Sequence, residues 1–254
     1  GSVGYLVIDS AGRPGAENMA VDYTLLGAAR RGNTYLRLYG WSPPCLSFGR
    51  NEPAVSRYER DAIEALGIEV VRRPTGGRAV LHERELTYAV AGPVELFGTL
   101  RETYFAIHRM VASALRRLGV AAELAPPVRD RGGWAAPGAG ACFSAPVGGE
   151  IVVAGRKLVG SAQVRERGAF LQHGSVLLEN RQDVIVGLTR GGSAPVRATA
   201  ISEVLGRPVD FCEAAGAVVE EARAAWPAGL IPAPIPEFRD ALRRFQDPGW
   251  TWRR

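Results

Sequence analysis

Lysine is almost missing from this sequence: Lys157 is the only one, so thirty of the thirty-one basic residues are arginine. Codon bias explains the excess of arginine. A lysine that survives such bias marks a position where a planar guanidinium does not replace a compact ammonium, unless it survives by chance. Cysteine is scarce too. Cys45, Cys142 and Cys212 are an odd number with no CxxC spacing, which does not suit a disulfide framework and points to a reducing, cytoplasmic setting. The three histidines, His82, His108 and His173, form no HExxH or Cys/His cluster, so no metal site is expected. No apolar run approaches the roughly 18 residues of a membrane-spanning helix. The start, Gly1-Ser2-Val3-Gly4, lacks a basic segment followed by an apolar one, so no secretory signal is expected either. Like charges form no block, and the net charge of +5 favours acidic partners without indicating nucleic acid.

What is present is an ordinary globular composition, 46% hydrophobic and 22% charged. Strands are predicted at Val3 to Asp9, Tyr35 to Tyr39 and Leu46 to Phe48, with a helix beginning at Ala16 between the first two. A second helix is predicted from Pro53 to Gly67, proline in front and glycine behind, with Val55, Ile63 and Leu66 on its apolar face. Strands follow at Ile68 to Arg72, Ala79 to Leu81 and Leu86 to Val90. The clearest helix runs from Leu100 to Leu118, where Tyr104, Ile107, Val111 and Leu115 share a face that should pack on a sheet. Pro126 to Gly140 is the longest predicted loop. Beyond it come strands at Glu150 to Val153, Lys157 to Gln163 and Ala169 to Leu178, then helices at Ala200 to Leu205, Phe211 to Trp226 and Glu237 to Phe245. Without regular βαβ alternation, internal repeats or a break in composition, this order predicts one α+β domain over residues 1–254.

Two segments offer chemistry. In Arg72-Arg73-Pro74-Thr75-Gly76-Gly77-Arg78, paired glycines expose backbone N–H groups beside guanidiniums, which suits an anionic or carbonyl oxygen; a plain hairpin with solvent-facing arginines gives the same pattern. It is neither GxxxxGK[ST] nor GxGxxG, which excludes a P-loop and a dinucleotide fingerprint. Cys142 lies in a glycine-rich loop, where a thiol is more exposed than Cys45 in a strand or Cys212 in an apolar helix, both read as structural. A nucleophilic cysteine needs a nearby cation or base. Lys157 supplies the cation if strand pairing brings the two together, and is an edge lysine otherwise. His82 and His173 either line a pocket or satisfy backbone carbonyls, and a Cys–His pair stays open. His108, on the long helix, is a surface or packing residue.

The stretch RRPTGGRAVLHERELTYAV at residues 72–90 resembles the lipoate/biotin protein ligase and octanoyltransferase superfamily. So do Asn18 to Asp22, Ser47 to Asn51, Gly155 to Gln163 and Leu171 to Ser175, which extend the likeness over most of residues 18–206. The Ala141-Cys142-Phe143 segment followed by GRKLVGSAQ is similar to the cysteine-dependent octanoyltransferases that act on the glycine cleavage H protein. The resemblance implies one catalytic domain with a core at about residues 18–226, mixed and antiparallel sheets packed with helices, and no accessory domain. It implies transfer of an octanoyl group from octanoyl-acyl carrier protein to a lysine of the H protein or another lipoyl-domain protein, in lipoate biosynthesis, without ATP, cofactor or metal. Cys142 and Lys157 are then catalytic. Arg73, Thr75, Gly76, Gly77, Arg78, His82, Gly160, Ser161, Ala162, His173, Gly174 and Ser175 then bind substrate. Because both protein partners of the family are acidic, a positive surface is expected at the pocket mouth. The competing readings are an ATP-dependent lipoate ligase, an amidotransferase between lipoyl domains, and a binding module without turnover. Gly76-Gly77-Arg78, in place of the three glycines common in ligases, favours the transferase.

Overall fold

The computed structural model describes residues 3–126 and 148–253. Among these the larger sheet has the order β11-β1-β2-β6-β10-β9-β8-β7. Its first half is built by β1 (Gly4–Arg13), the crossover helix α1 (Gly15–Ala29) and β2 (Thr34–Trp41), which lies parallel to β1. β6 (Glu85–Pro93), β8 (Ile151–Val153), β9 (Arg156–Glu166) and β10 (Ala169–Leu177) extend it as antiparallel neighbours. β7 (Glu123–Leu124) and β11 (Leu230–Pro232) are short edges that no periodicity announces.

Both faces of this sheet are covered, and the strands show why. Leu36, Leu38, Leu86, Tyr88, Val90, Phe170 and Val176 face one core, into which α4 (Leu100–Arg117) and α7 (Phe211–Ala225) pack Ile107, Val111, Leu115 and Val218. The alternate residues Tyr39, Trp41, Ala89, Ala91, Ala169 and Leu171 face the other core with Met19, Leu25 and Leu26 of α1 and Phe245 of α8 (Arg239–Gln246). The period of two sorts one strand's side chains between two layers. α4 starts at a capping box between Thr99 and Glu102, two reciprocal bonds that satisfy N-terminal amides.

A second sheet, β4 (Glu69–Arg72), β3 (Cys45–Phe48) and β5 (Val80–His82), pairs β3 parallel to β4 and antiparallel to β5. The helix expected from Pro53 to Gly67 is broken into α2 (Ala54–Arg57) and α3 (Arg60–Ala65). Tyr58 causes the break. Its backbone is extended, its ring stacks on Phe48 at 5.0 Å, and its hydroxyl donates to the buried Glu52. Val55 and Leu66 are consequently exposed rather than on a buried face. Cys45 is buried in β3 as expected, whereas Cys212 is exposed on α7, because the apolar residues of that helix outnumber what one face holds.

Arg72 fixes the turn between β4 and β5. Its guanidinium is buried and donates to the carbonyls of Gly49 at 2.8 Å, Glu52 at 2.9 Å, Trp250 at 3.0 Å and Arg253 at 2.9 Å. Arg73 is likewise buried, donating to the Ser47 carbonyl at 3.0 Å and the Gly76 carbonyl at 2.7 Å. The glycine turn is therefore not edged by two solvent-facing arginines; only Arg78 is exposed. A Cβ on Gly49 would lie 1.7 Å from the Gly77 carbonyl oxygen, so the backbones touch where no other residue fits.

Gly49→Ala should lower the urea midpoint by the equivalent of about 3 kcal/mol or more, the upper range for overpacking. Gly27→Ala, in α1 with nothing within 4 Å of the added Cβ, should raise it by about 0.5–1 kcal/mol. Equal effects would show that the Gly49–Gly77 approach does not constrain the fold.

Candidate active site

A pocket opens where β9 and β10 meet the glycine turn and β5. Ten of the residues expected to bind substrate line it: Arg73, Gly76, Gly77, His82, Gly160, Ser161, Ala162, His173, Gly174 and Ser175. Lys157 lines it too. Thr75 sits behind the wall with its hydroxyl 2.6 Å from His173 Nε2, and Arg78 points away to solvent. Cys142 lies outside the described residues, as does nearly all of the predicted loop.

A break in strand register puts the lysine there. Ile151 pairs with Val159 but Val152 pairs with Lys157, so β9 carries one extra residue at this point. Leu158 and Val159, adjacent in sequence, both enter the α4 core. Lys157 before the bulge then shares the pocket side with Gly160 and Ala162 after it. The Lys157 backbone is tied on both sides, its N–H to the Arg197 carbonyl at 3.0 Å and its carbonyl to the Thr199 N–H at 2.9 Å. Its ammonium lies 2.6 Å from Glu150 Oε1, with both side chains almost fully buried. A carboxylate at this distance offsets the desolvation of the ammonium. Glu150 escaped the sequence reading, although the predicted hairpin through Ala154-Gly155 already folded residue 150 back toward residue 157.

All three histidines are buried, and each has both ring nitrogens engaged. His173 reaches Asp22 at 2.9 Å and Thr75 at 2.6 Å. His82 reaches Glu85 at 3.0 Å and Ser47 at 2.6 Å, with its ring stacked on Trp41 at 3.9 Å. His108 reaches the Gly149 carbonyl at 2.7 Å and Ser161 Oγ at 2.8 Å. A Cys–His pair would have to break one of these buried bonds. Of the two readings of His108, surface or packing, burial excludes the first; the ring packs against Tyr104 at 4.2 Å and is hydrogen-bonded as well.

Burial sets the protonation of this wall. Burial, opposed by the Gly149 carbonyl and reinforced by the Lys157 charge, lowers the His108 pKa to about 4. It lowers His173 as well, opposed by the Asp22 carboxylate. Burial raises Asp22, but the Arg37 guanidinium at 2.8 Å and the His173 and Tyr39 hydrogen bonds outweigh it and leave the group below the usual carboxylate range. Both imidazoles are therefore neutral near pH 7, with Nδ1–H donating to Asp22 in one and to Gly149 in the other. Met19, Tyr39 and Trp41 add an apolar floor to the pocket. An apolar floor with one ammonium–carboxylate pair suits a hydrocarbon chain ending in a carbonyl.

The lipoyl protein ligase A/B catalytic domain family matches residues 14–223. The octanoyltransferase LipM of Kyrpidia tusciae is 41% identical over 232 residues, covering 81% of this chain and 85% of that relative. The octanoyltransferase LipM of Moorella thermoacetica is 35% identical over 261 residues, covering 93% of each. Among solved structures, lipoate-protein ligase A bound with ATP superposes with a TM-score of 0.80 at 18% identity over 99% of both chains. A bi-partite lipoate protein ligase of Thermoplasma acidophilum gives 0.78 at 17% identity, over 99% of this chain and 97% of that one. These structures share the fold.

The lowered His108 and His173 values make a pH prediction. The unfolded chain binds protons at these sites below about pH 6.5, whereas folded His108 does so only near 4. Stability is thus full above pH 6.5 and falls as the pH drops toward 4, with His108 contributing about 3 kcal/mol to the loss. Asp22, depressed from an ordinary value of 3.8, contributes only at the acid end of this window and below it. Urea titrations at pH 7.5 and 4.5 should show the fall, and His108→Gln should reduce the difference while His173 retains its share. An unchanged difference in that variant would show that His108 is not held neutral.

Proposed function

The chain belongs to the lipoyl protein ligase A/B catalytic domain family, and from that premise we propose that it is an octanoyltransferase of lipoate biosynthesis working through a thioester on Cys142. The donor is octanoyl-acyl carrier protein and the acceptor is a lysine of the glycine cleavage H protein or another lipoyl-domain protein. The observation that carries this reading is the solitary lysine, buried against Glu150 in a pocket with an apolar floor. Curated relatives more than a third identical over most of their length bear the name octanoyltransferase.

In this mechanism the octanoyl chain lies against Met19, Tyr39 and Trp41, and the carbonyl meets the Lys157 ammonium. Cys142 sulfur attacks the thioester carbon. A new C–S bond forms, the carrier's C–S bond breaks, and the Cys142 proton leaves on the carrier thiol. Lys157 lowers the barrier by stabilising both the thiolate and the developing oxyanion. Glu150 holds the ammonium in place. One thioester replaces another at nearly equal free energy, and the second transfer ends in the more stable amide, so ATP supplies nothing the reaction lacks. Arginine cannot do the work of Lys157, since its wide planar head does not fit between Glu150 and a substrate carbonyl. The exposed Arg78 beside the glycine turn meets the acidic partner proteins.

Octanoyl-acyl carrier protein without ATP should add one octanoyl group to the protein, seen by mass spectrometry and removed by hydroxylamine. Cys142→Ser should take up none through a hydroxylamine-labile thioester, and Lys157→Arg should acylate about a hundredfold more slowly. An ATP requirement, or full transfer by Cys142→Ala, would assign the protein to the ligases instead. Acylation by octanoylated H protein in place of the carrier would identify an amidotransferase.

A further inference from the structure

One hydrogen-bond chain in the pocket wall has a direction that can be read atom by atom. It runs from Arg165 Nε to Gln163 Oε1 at 3.0 Å, from Gln163 Nε2 to Gln172 Oε1 at 2.8 Å, and from Gln172 Nε2 to the Tyr88 hydroxyl at 3.1 Å. It continues from Tyr88 to Ser161 Oγ at 2.6 Å, from Ser161 to His108 Nε2 at 2.8 Å, and ends at the Gly149 carbonyl, 2.7 Å from His108 Nδ1. Gln172, Tyr88 and His108 are completely buried. A carbonyl oxygen only accepts, so His108 Nδ1 carries the proton. With the imidazole neutral, Nε2 must accept, and Ser161 is its donor. Having spent its one proton, Ser161 takes its bond from Tyr88 as an acceptor, and burial keeps that phenol protonated by raising its pKa to about 12. Tyr88 in turn accepts from Gln172. Every orientation follows from the first.

The consequence falls on Ser161, the member of the chain that lines the pocket. Its hydroxyl has no proton left for a ligand and retains one lone pair, so it is not an oxyanion donor. Its position is built with care: a Cβ on Gly174 would lie 2.3 Å from Ser161 Oγ, and glycine there leaves the hydroxyl its space. The Gly149–Glu150 backbone joins this chain to the ion pair, Gly149 receiving His108 and Glu150 receiving Lys157. An acceptor-only hydroxyl beside a carbonyl-binding ammonium fits an N–H nucleophile.

We propose that Ser161 is a catalytic residue of the transfer to the acceptor protein, accepting one N–H of the attacking lysine amine, and that His108 is the positioning residue that holds Ser161 in that role. The proposal rests on the acyl-transfer reading above. With one N–H held by Ser161, the amine's lone pair is aimed at the acyl carbon. The N–C bond forms and the C–S bond breaks, and the electron pair leaves on sulfur. The held hydrogen stays on nitrogen as the amide N–H, and the amine's other hydrogen goes to the departing sulfur. Ser161 and His108 end as they began, so no buried imidazolium is required.

The test separates the half-reactions. Wild-type protein and the Ser161→Ala, His108→Leu and His108→Gln variants are acylated with octanoyl-acyl carrier protein, freed of donor, and mixed with saturating lipoyl-domain protein in single turnover. The ratio of transfer rate to acylation rate should fall about tenfold or more in Ser161→Ala and His108→Leu, the worth of one hydrogen bond to the reacting group. His108→Gln, whose amide both donates and accepts, should regain most of that ratio. A parallel fall in both half-reactions would reduce the two residues to structural roles and overturn the proposal, as would a wild-type ratio in Ser161→Ala. If wild-type protein forms no acyl-enzyme, the failure lies with the proposed function instead.

Discussion

A buried ammonium has to be answered by a carboxylate, and the Lys157–Glu150 pair is the point about which the pocket is organised. The bulge in β9 delivers the lysine to the pocket side, the 197–199 segment ties its backbone, and the short hairpin from β8 brings Glu150 back to it. Removing the carboxylate would take a counter-charge 2.6 Å away from a buried ammonium. Removing the bulge would turn the lysine toward α4.

The polar groups of the pocket wall are saturated to an unusual degree. Asp22, His173 and Thr75 form one buried set, Glu85, His82 and Ser47 a second, and Gly149, His108 and Ser161 a third. The first two resemble acid–base–hydroxyl triads with their hydroxyls fully buried at Thr75 and Ser47, and the third has a backbone carbonyl where they have a carboxylate. Those two hold the wall in place. The third brings Ser161 to the cavity, where Ser175 and Thr87 also stand, bonded to His82 and Glu85 of the second set. Such networks are rigid because an unmade bond inside a low-dielectric wall costs more than a made one gains.

Much of this was legible in the sequence, for reasons that differ by residue. The helix α4 and strands β2, β6 and β10 announce themselves because their faces pack against uniform apolar layers, so the period survives. The family resemblance at the glycine turn, His82, the GRKLVGSAQ strand and the Leu171 to Ser175 segment together selected most of the pocket lining. Periodicity misled at Val55 and Leu66, where Tyr58 prefers a ring contact and a buried carboxylate to a continuous helix. It could not foresee that Arg72 and Arg73 point inward, since their partners are backbone carbonyls, which every sequence has and none displays. His108 looked like packing because its two partners come from a turn and a strand 41 and 53 residues away.

The Arg72 guanidinium binds carbonyls of Trp250, Thr251 and Arg253 as well as Gly49. One cation therefore joins the base of the glycine turn to residues 178 or more positions later in the chain. During synthesis on the ribosome, Arg72 emerges long before those carbonyls exist to receive it. The turn that forms one side of the pocket cannot acquire its full set of bonds until residue 253 clears the exit tunnel. A nascent chain thus carries its recognition turn unfinished until translation has passed that point.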